Sequence, residues 1–239
     1  MLRQRASKLL FSFIAMALVA TYFFLRSPFF GITHVSVQGT SLLPEAEMVQ
    51  LSGIQLGENI WRLDEKRVVQ QLLFHPQVEA IALERQWPST VILQIKERKP
   101  VAVVHGPRGF ILVDHQGTFL QTVNALTGIP LPLLTGIPVS SQVGPGQAFT
   151  GDEMAAALRF CREFAPTLMT RIAEVHVREG GRLTLYTVEG VEVRFGTPDQ
   201  VAAKGDALAD IFAELTREQR LGKIRYIDVT SHTSPVIKL

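Results

Sequence analysis

The side chains that could do covalent or metal chemistry in this sequence are few and scattered. Cys161 is the only cysteine, and it falls on an apolar helical stripe, where a thiol behaves as a small buried hydrophobe. The six histidines are His34, His75, His105, His115, His176 and His232. None stands at the spacing of a zinc site, and only His105 and His115 could approach each other across a hairpin. Ser89, Ser140 and Ser141 lie in turns or loops without the strand–turn–helix setting of a nucleophile elbow. Glu153, Glu163 and Glu174 read as solvated or capping carboxylates. No Gly-rich phosphate loop, CxxC or HExxH motif occurs. What remains is the chemistry of the backbone: unpaired amides and carbonyls along a strand edge, which can hold a partner strand by main-chain hydrogen bonds. The expectation is a protein that binds rather than catalyses, with no cofactor, no metal, no nucleic acid and no small-molecule substrate.

Charge and hydropathy place this binding surface. Leu9 to Leu25 (LLFSFIAMALVATYFFL) carries no charge, with Arg3, Arg5 and Lys8 before it and Arg26 after it. A helix through it is about 26 Å long at ~1.5 Å per residue, the short end of a membrane span, and Phe29 and Phe30 can extend it into the interface. The basic side faces the cytoplasm. An uncleaved anchor is favoured over a signal peptide, because Ala15-Met16-Ala17 lies inside the run and Tyr22, Phe23 and Phe24 crowd its end. Of 24 basic and 22 acidic residues, four basic and no acidic ones lie in residues 1–26. The remainder is 20 against 22, so no nucleic-acid surface is indicated. The chain therefore divides into a cytoplasmic tail (1–8), a transmembrane helix (9–27), a first external domain (30–100) and a second (101–239).

The elements that must position an edge follow from periodicity. In the first domain, His34 to Gln38 reads as a strand, and Pro44 to Leu51 as a helix closed by Gly53. A second helix is capped by Asp64 and carries Val68, Val69, Leu72 and Leu73. Val78 to Glu84 and Thr90 to Glu97 are strands joined through Gln86-Trp87-Pro88-Ser89. Trp87 reads as covering the sheet edge and Trp61 as core. The second domain has short strands at Val101 to Val104 and Phe110 to Val113. A Pro- and Gly-rich loop from Leu126 to Gly146 surrounds an apolar piece, Leu131 to Leu134. A capping box at Thr150 to Glu153 opens a helix whose buried stripe is Met154, Ala157, Leu158, Cys161 and Phe164. An antiparallel meander follows at Ile172 to Val177, Leu183 to Thr187 and Val191 to Phe195. Thr197-Pro198 with Gln200 opens a second helix with Val201, Leu208, Ile211, Phe212 and Leu215 inward. Strands at Arg225 to Val229 and Pro235 to Leu239 close the chain. The fold class is α+β: one N-terminal transmembrane helix, a β-α-α-β-β domain, and a β-rich domain with an antiparallel sheet and two packed helices. The stretch Tyr226 to Leu239 is the candidate edge, since no later strand covers it and Pro235, lacking an amide, suits an edge.

Several runs carry a resemblance. Glu84-Arg85-Gln86-Trp87-Pro88, Val91 to Lys96, and Glu97 to Pro100 leading into Val101-Ala102 form the most specific stretch. Leu112-Val113-Asp114 with Gly117, Leu131-Pro132-Leu133-Leu134, Phe195-Gly196 before Lys204, and Tyr226-Ile227-Asp228-Val229 follow in order. Together with the topology they resemble the FtsQ/DivIB family of bacterial cell-division proteins, whose first external domain is a POTRA domain. Thr230 stands where the family often has Arg, and Ser231 where some members carry an aromatic residue. The resemblance implies a non-enzymatic bitopic scaffold of the divisome at the septum, N-terminus cytoplasmic and C-terminal domains periplasmic. It would link early and late division proteins and help control septal peptidoglycan synthesis. It also implies partners: FtsB and FtsL at the terminal strand, and other divisome proteins through the POTRA-like domain. The implied contacts are Ser231, His232, Thr233, Ser234, Pro235 and Val236 offering backbone, Tyr226 and Asp228 supporting them, and Arg178 beside a hairpin turn as a charged contact. The alternative is a POTRA-containing component of envelope secretion or assembly, which would need a large β-barrel after the POTRA unit.

Overall fold

The computed structural model describes residues 2–140, 142–218, 220 and 224–238; Ser141 and Leu239, named above, lie outside them. The chain divides into two compact units, Met1–Glu97 and Arg98–Leu239.

In the first unit, helix α1 runs Leu2–Leu25 and a single 3-10 turn follows at Pro28–Phe30. Strand β1 (His34–Gln38), helices α2 (Glu45–Ser52) and α3 (Glu65–Leu73), and strands β2 (Val78–Gln86) and β3 (Thr90–Glu97) complete it. β3 is central, parallel to β1 and antiparallel to β2. Its alternation decides which face is dry: Val91, Leu93 and Ile95 are buried while Gln94 and Lys96 point to solvent. Met48 from α2 and Val68 and Leu72 from α3 close over the dry face. Asp64 caps α3 by accepting from the Arg67 amide at 3.2 Å, and Gly53 ends α2 in the left-handed region at φ 64°. Leu73 faces outward instead of joining the stripe.

Two expectations fail here. The helix starts earlier than the uncharged run and takes in Arg3, Arg5 and Lys8. Among the described residues, no helix is long and apolar enough to cross a membrane. The uncharged run Leu9 to Leu25 within α1 reaches about 26 Å at ~1.5 Å per residue, short of a hydrocarbon core of about 30 Å. Trp61 is not core either. It is 52% exposed and stacks on Trp87, itself 46% exposed, with ring centroids 3.9 Å apart. The Trp87–Pro88 peptide is cis.

The second unit is one sheet of nine strands. They are β4 (Pro100–Gly106), β5 (Gly109–Asp114), β6 (Phe119–Val123), β7 (Leu133–Thr135), β8 (Ile172–Arg178), β9 (Arg182–Thr187), β10 (Glu192–Gly196), β11 (Tyr226–Asp228) and β12 (Val236–Lys238). Their spatial order is β12-β11-β10-β9-β8-β7-β4-β5-β6. The meander β8-β9-β10 is antiparallel as expected, but the sheet as a whole is mixed. β7 runs parallel to both β4 and β8, and β11 parallel to β10. Parallel neighbours need a long crossover. The segment after β7 holds α4 (Asp152–Glu163) and α5 (Pro166–Met169), and the segment after β10 holds α6 (Val201–Arg217). The two packed helices are thus the crossover helices, and both bury their stripes on the same face as Val175, Leu185, Val193 and Ile227.

Local details differ from the expected ones. α4 starts after Gly151, which makes no side-chain cap, so Thr150 and Glu153 do not form a capping box. Cys161 is only partly buried, and Phe160 takes the innermost place. Burial still pushes the Cys161 thiol up to about 12, far from a reactive thiolate. Gly136 follows β7 with φ 74°, and a Cβ there would meet the Val177 carbonyl oxygen at 2.1 Å, so this exit from the sheet requires glycine.

Candidate partner-binding edge

The strand at one end of the sheet is β12, antiparallel to β11 in the register Tyr226↔Lys238, Ile227↔Ile237 and Asp228↔Val236. All three of its residues are exposed, Val236 by 53%. At the other end, the start of β6 is already engaged. The Phe119 amide donates to the Gln147 carbonyl (2.8 Å), the Gly146 amide donates to the Phe119 carbonyl (2.8 Å), and Thr118 bridges Ala148.

The residues expected to offer backbone do not form one strand. Ser231, His232, Thr233 and Ser234 make the turn between β11 and β12, with the Ser231 and Thr233 hydroxyls 3.0 Å apart. Pro235 leads out of the turn, and Val236 is the one member of the set that lies in β12. Asp228 shapes the turn by accepting from the Thr230 amide at 3.0 Å. The edge itself is Val236–Lys238, displaced toward the C-terminus from Ser231 to Val236 because four residues are spent reversing the chain.

Side-chain alternation does bring Tyr226, Asp228 and Arg178 onto one face. Along β8, β9, β10 and β11, Val177, Leu183, Leu185, Val193, Phe195 and Ile227 point to the helices. Their neighbours point away. One transverse row on that outer face runs His176, Thr184, Arg194, Asp228, Val236. The next runs Glu174, Tyr186, Glu192, Tyr226, Lys238. The Arg194 guanidinium lies over the Tyr226 ring at 3.9 Å, and its Nε donates to Glu192 Oε1 at 3.1 Å. Glu192, Tyr226 and Asp228 together favour the charged form of that guanidinium. Lys238 Nζ lies 6.0 Å from the centre of the same ring. Arg178 lies at the end of β8, donating through Nε to Thr184 Oγ1 at 3.1 Å. It shares a shallow surface depression with Arg182, Arg194 and Thr230.

Sequence reasoning missed Arg194, Glu192 and Lys238. Arg194 carries a usable signal, an exposed position in the alternation of β10. Its meeting with Tyr226 depends on the parallel β10–β11 pairing, which α6 creates. His105 and His115 do not meet. His105 packs edge-on against Phe110 at 5.5 Å, and no cluster of three or more metal-ligating side chains occurs among the described residues.

A β-α-α-β-β unit followed by a nine-stranded mixed sheet with an open edge defines a two-domain protein of the POTRA-containing kind. A family model described as POTRA domain, FtsQ-type matches residues 30–98, and one described as Cell division protein FtsQ/DivIB, C-terminal matches residues 102–230. The chain belongs to the FtsQ/DivIB family of cell-division proteins. It is 26% identical over 214 residues to the cell division protein FtsQ of Geotalea daltonii, covering 88% of this chain and 76% of that one. It is 28% identical over 207 residues to FtsQ of Myxococcus fulvus, covering 85% and 72%. It is 21% identical over 238 residues to the cell division protein DivIB of Clostridium botulinum, covering 98% and 91%. The solved major extracytoplasmic domain of DivIB from Geobacillus stearothermophilus aligns with a TM-score of 0.35 and 25% identity, over 51% of this chain and 97% of that one.

Proposed function

We propose that this protein is a non-enzymatic, membrane-tethered scaffold of the division machinery that captures a partner strand along β12. The observation that carries this reading is the uncovered edge Val236–Lys238 beside the outer face of Arg178, Arg194, Tyr226 and Asp228. Strand addition would take affinity from the β12 backbone and selectivity from side chains in line with the two outer rows. In keeping with the family, the partner is an FtsB-like segment within a complex that includes FtsL. The domain at 30–98 serves as a second docking surface for other division proteins, and the assembly helps control septal wall synthesis.

The tether is α1. From Leu10 to Leu25 its large apolar side chains are uncovered, Phe11 by 74% and Leu18 by 67%. That surface suits lipid, with the N-terminus cytoplasmic and both domains periplasmic. A hydrophobic length short of the bilayer is met by local thinning and by flanking cations reaching the headgroups.

The test is capture of the detergent-solubilised full chain by FtsB and FtsL from the same organism, beside a form ending at Thr230. Loss on truncation supports the β12 site. Capture by both forms moves the site elsewhere, and capture by neither rejects the scaffold reading. As a second variant that leaves the fold intact, Arg194→Ala is expected to weaken capture about tenfold, as for an interfacial Arg. Its thermal midpoint should stay near the parent's, because Arg194 is on the surface.

A further inference from the structure

The first unit carries an exposed aromatic cluster that the strand-capture reading does not use. Phe30, 8% exposed, sits at its centre. Around it stand Phe24 (5.3 Å between centroids), Phe29 (5.1 Å), Trp61 (6.0 Å) and Trp87 (6.4 Å). These four outer rings are each between 46% and 59% exposed. Two indoles 3.9 Å apart with half their surface left in water extend this into an exposed apolar patch of the kind that marks an interaction or membrane surface.

The cluster is continuous with α1. Phe24 belongs to the helix and packs on both Phe29 and Phe30. Asn59 Nδ2 donates to the Leu25 carbonyl at 2.8 Å, and the Ile60 amide donates to the Phe30 carbonyl at 2.9 Å, so the Trp61 loop is fixed directly to the helix end. At the same level the Arg26 guanidinium stacks over the Tyr22 ring at 4.5 Å. Tryptophan, phenylalanine and a nearby cation, in one ring at the end of an apolar helix, are the side chains that settle at the headgroup–acyl boundary.

We propose that Phe29, Trp61 and Trp87 form a collar that seats this unit directly on the outer surface of the bilayer. The occupant of the exposed aromatic surface is lipid, and the collar supplies apolar depth that α1 alone lacks. The domain is thereby held against the membrane at several points instead of swinging on a single chain. This inference rests on the membrane-tether reading given above.

Trp61 and Trp87 are the only tryptophans in the chain, so the unaltered protein reports on itself. The full chain is reconstituted into vesicles of phosphatidylethanolamine and phosphatidylglycerol, with and without bromine on the acyl chains. The expected result is co-flotation with the vesicles and loss of most of the tryptophan emission when the lipid is brominated. Trp61→Phe and Trp87→Phe variants should each retain quenching of the remaining indole. Co-flotation with unquenched emission overturns the collar and leaves the tether standing. Failure to co-float overturns both.

Discussion

An Asp114→Ala variant is expected to lose about 3–5 kcal/mol of stability in the domain that starts at Arg98, the usual cost of breaking a buried ion pair from one side. Asp114 is fully buried. Its Oδ1 accepts from the Gln116 amide (2.9 Å) and the Thr118 amide (2.8 Å), and its Oδ2 accepts from Arg98 Nη1 (2.7 Å). That nitrogen also donates to Gln116 Oε1 at 2.9 Å. Truncation would strand two amides and remove the carboxylate that Arg98 meets at 2.7 Å. Burial pushes the Asp114 carboxyl up, yet the hydrogen bonds from Thr118, Arg98 and Gln116 more than offset it and hold the group below its ordinary value. A carboxyl with a depressed folded pKa contributes its stability in full above the unfolded value of about 3.9 and loses it as pH falls through the folded value. Urea midpoints followed by circular dichroism should therefore fall with acid more steeply in the parent than in Asp114→Ala. Asp114→Asn, which keeps an acceptor but does not titrate, should have a neutral-pH midpoint between the two and the shallow acid dependence of the alanine variant. Equal acid dependence of parent and alanine variant would reject the assignment.

Phe195→Ala is expected to cost a further independent ~3–5 kcal/mol, the range for deleting a fully buried Phe. Phe195 has no exposed surface and meets Phe160 edge to face at 5.1 Å and Phe164 at 6.1 Å. Lys204 Nζ stands 5.3 Å from its ring while donating to Asp199 Oδ1 (2.8 Å) and the Thr197 carbonyl (2.9 Å). Hydrogen bonds from Lys204 Nζ and from the Thr197 hydroxyl hold the Asp199 carboxyl at about 2. One side chain thus joins β10, α4 and α6. The urea midpoint should drop with an unchanged slope, whereas Phe195→Leu should cost less than about 1.5 kcal/mol. A midpoint for Phe195→Ala within error of the parent would show that the aromatic packing does not carry the domain.

Much of this architecture was legible where one face is dry and the other wet. Val91, Leu93 and Ile95 in β3, and Val201, Leu208, Ile211, Phe212 and Leu215 in α6, stand at the periods of their elements and are buried as expected. β7 was not legible as a strand. Leu133–Thr135 is three residues among prolines and glycines, too short for its alternation to show in the sequence. Lys204 broke the pattern in the opposite sense, a cation on a buried face whose partners come from the preceding turn. At the candidate site, Tyr226 and Asp228 lie in β11 within the stretch expected as strand, while Ser231 to Ser234, between the two expected terminal strands and rich in serine and threonine, form the reversal and so cannot offer a continuous edge. Trp61 reads as core in the sequence because aromatic type alone does not distinguish interior from surface.

The parallel pairing of β11 with β10 has a consequence for the order in which the molecule becomes competent. β11 has no place to bind until α6 has packed and returned the chain, since Ile227 and Val229 are buried in the same core as Phe212 and Leu215. β12 in turn has only β11 to lean on. Contacts of such sequence separation form late, after the loop they close has been ordered. A copy that is still folding, or that has failed to dock α6, offers no edge. On the proposed strand-capture reading, β12 would therefore act as an inspection step, available only in molecules whose α6 has docked.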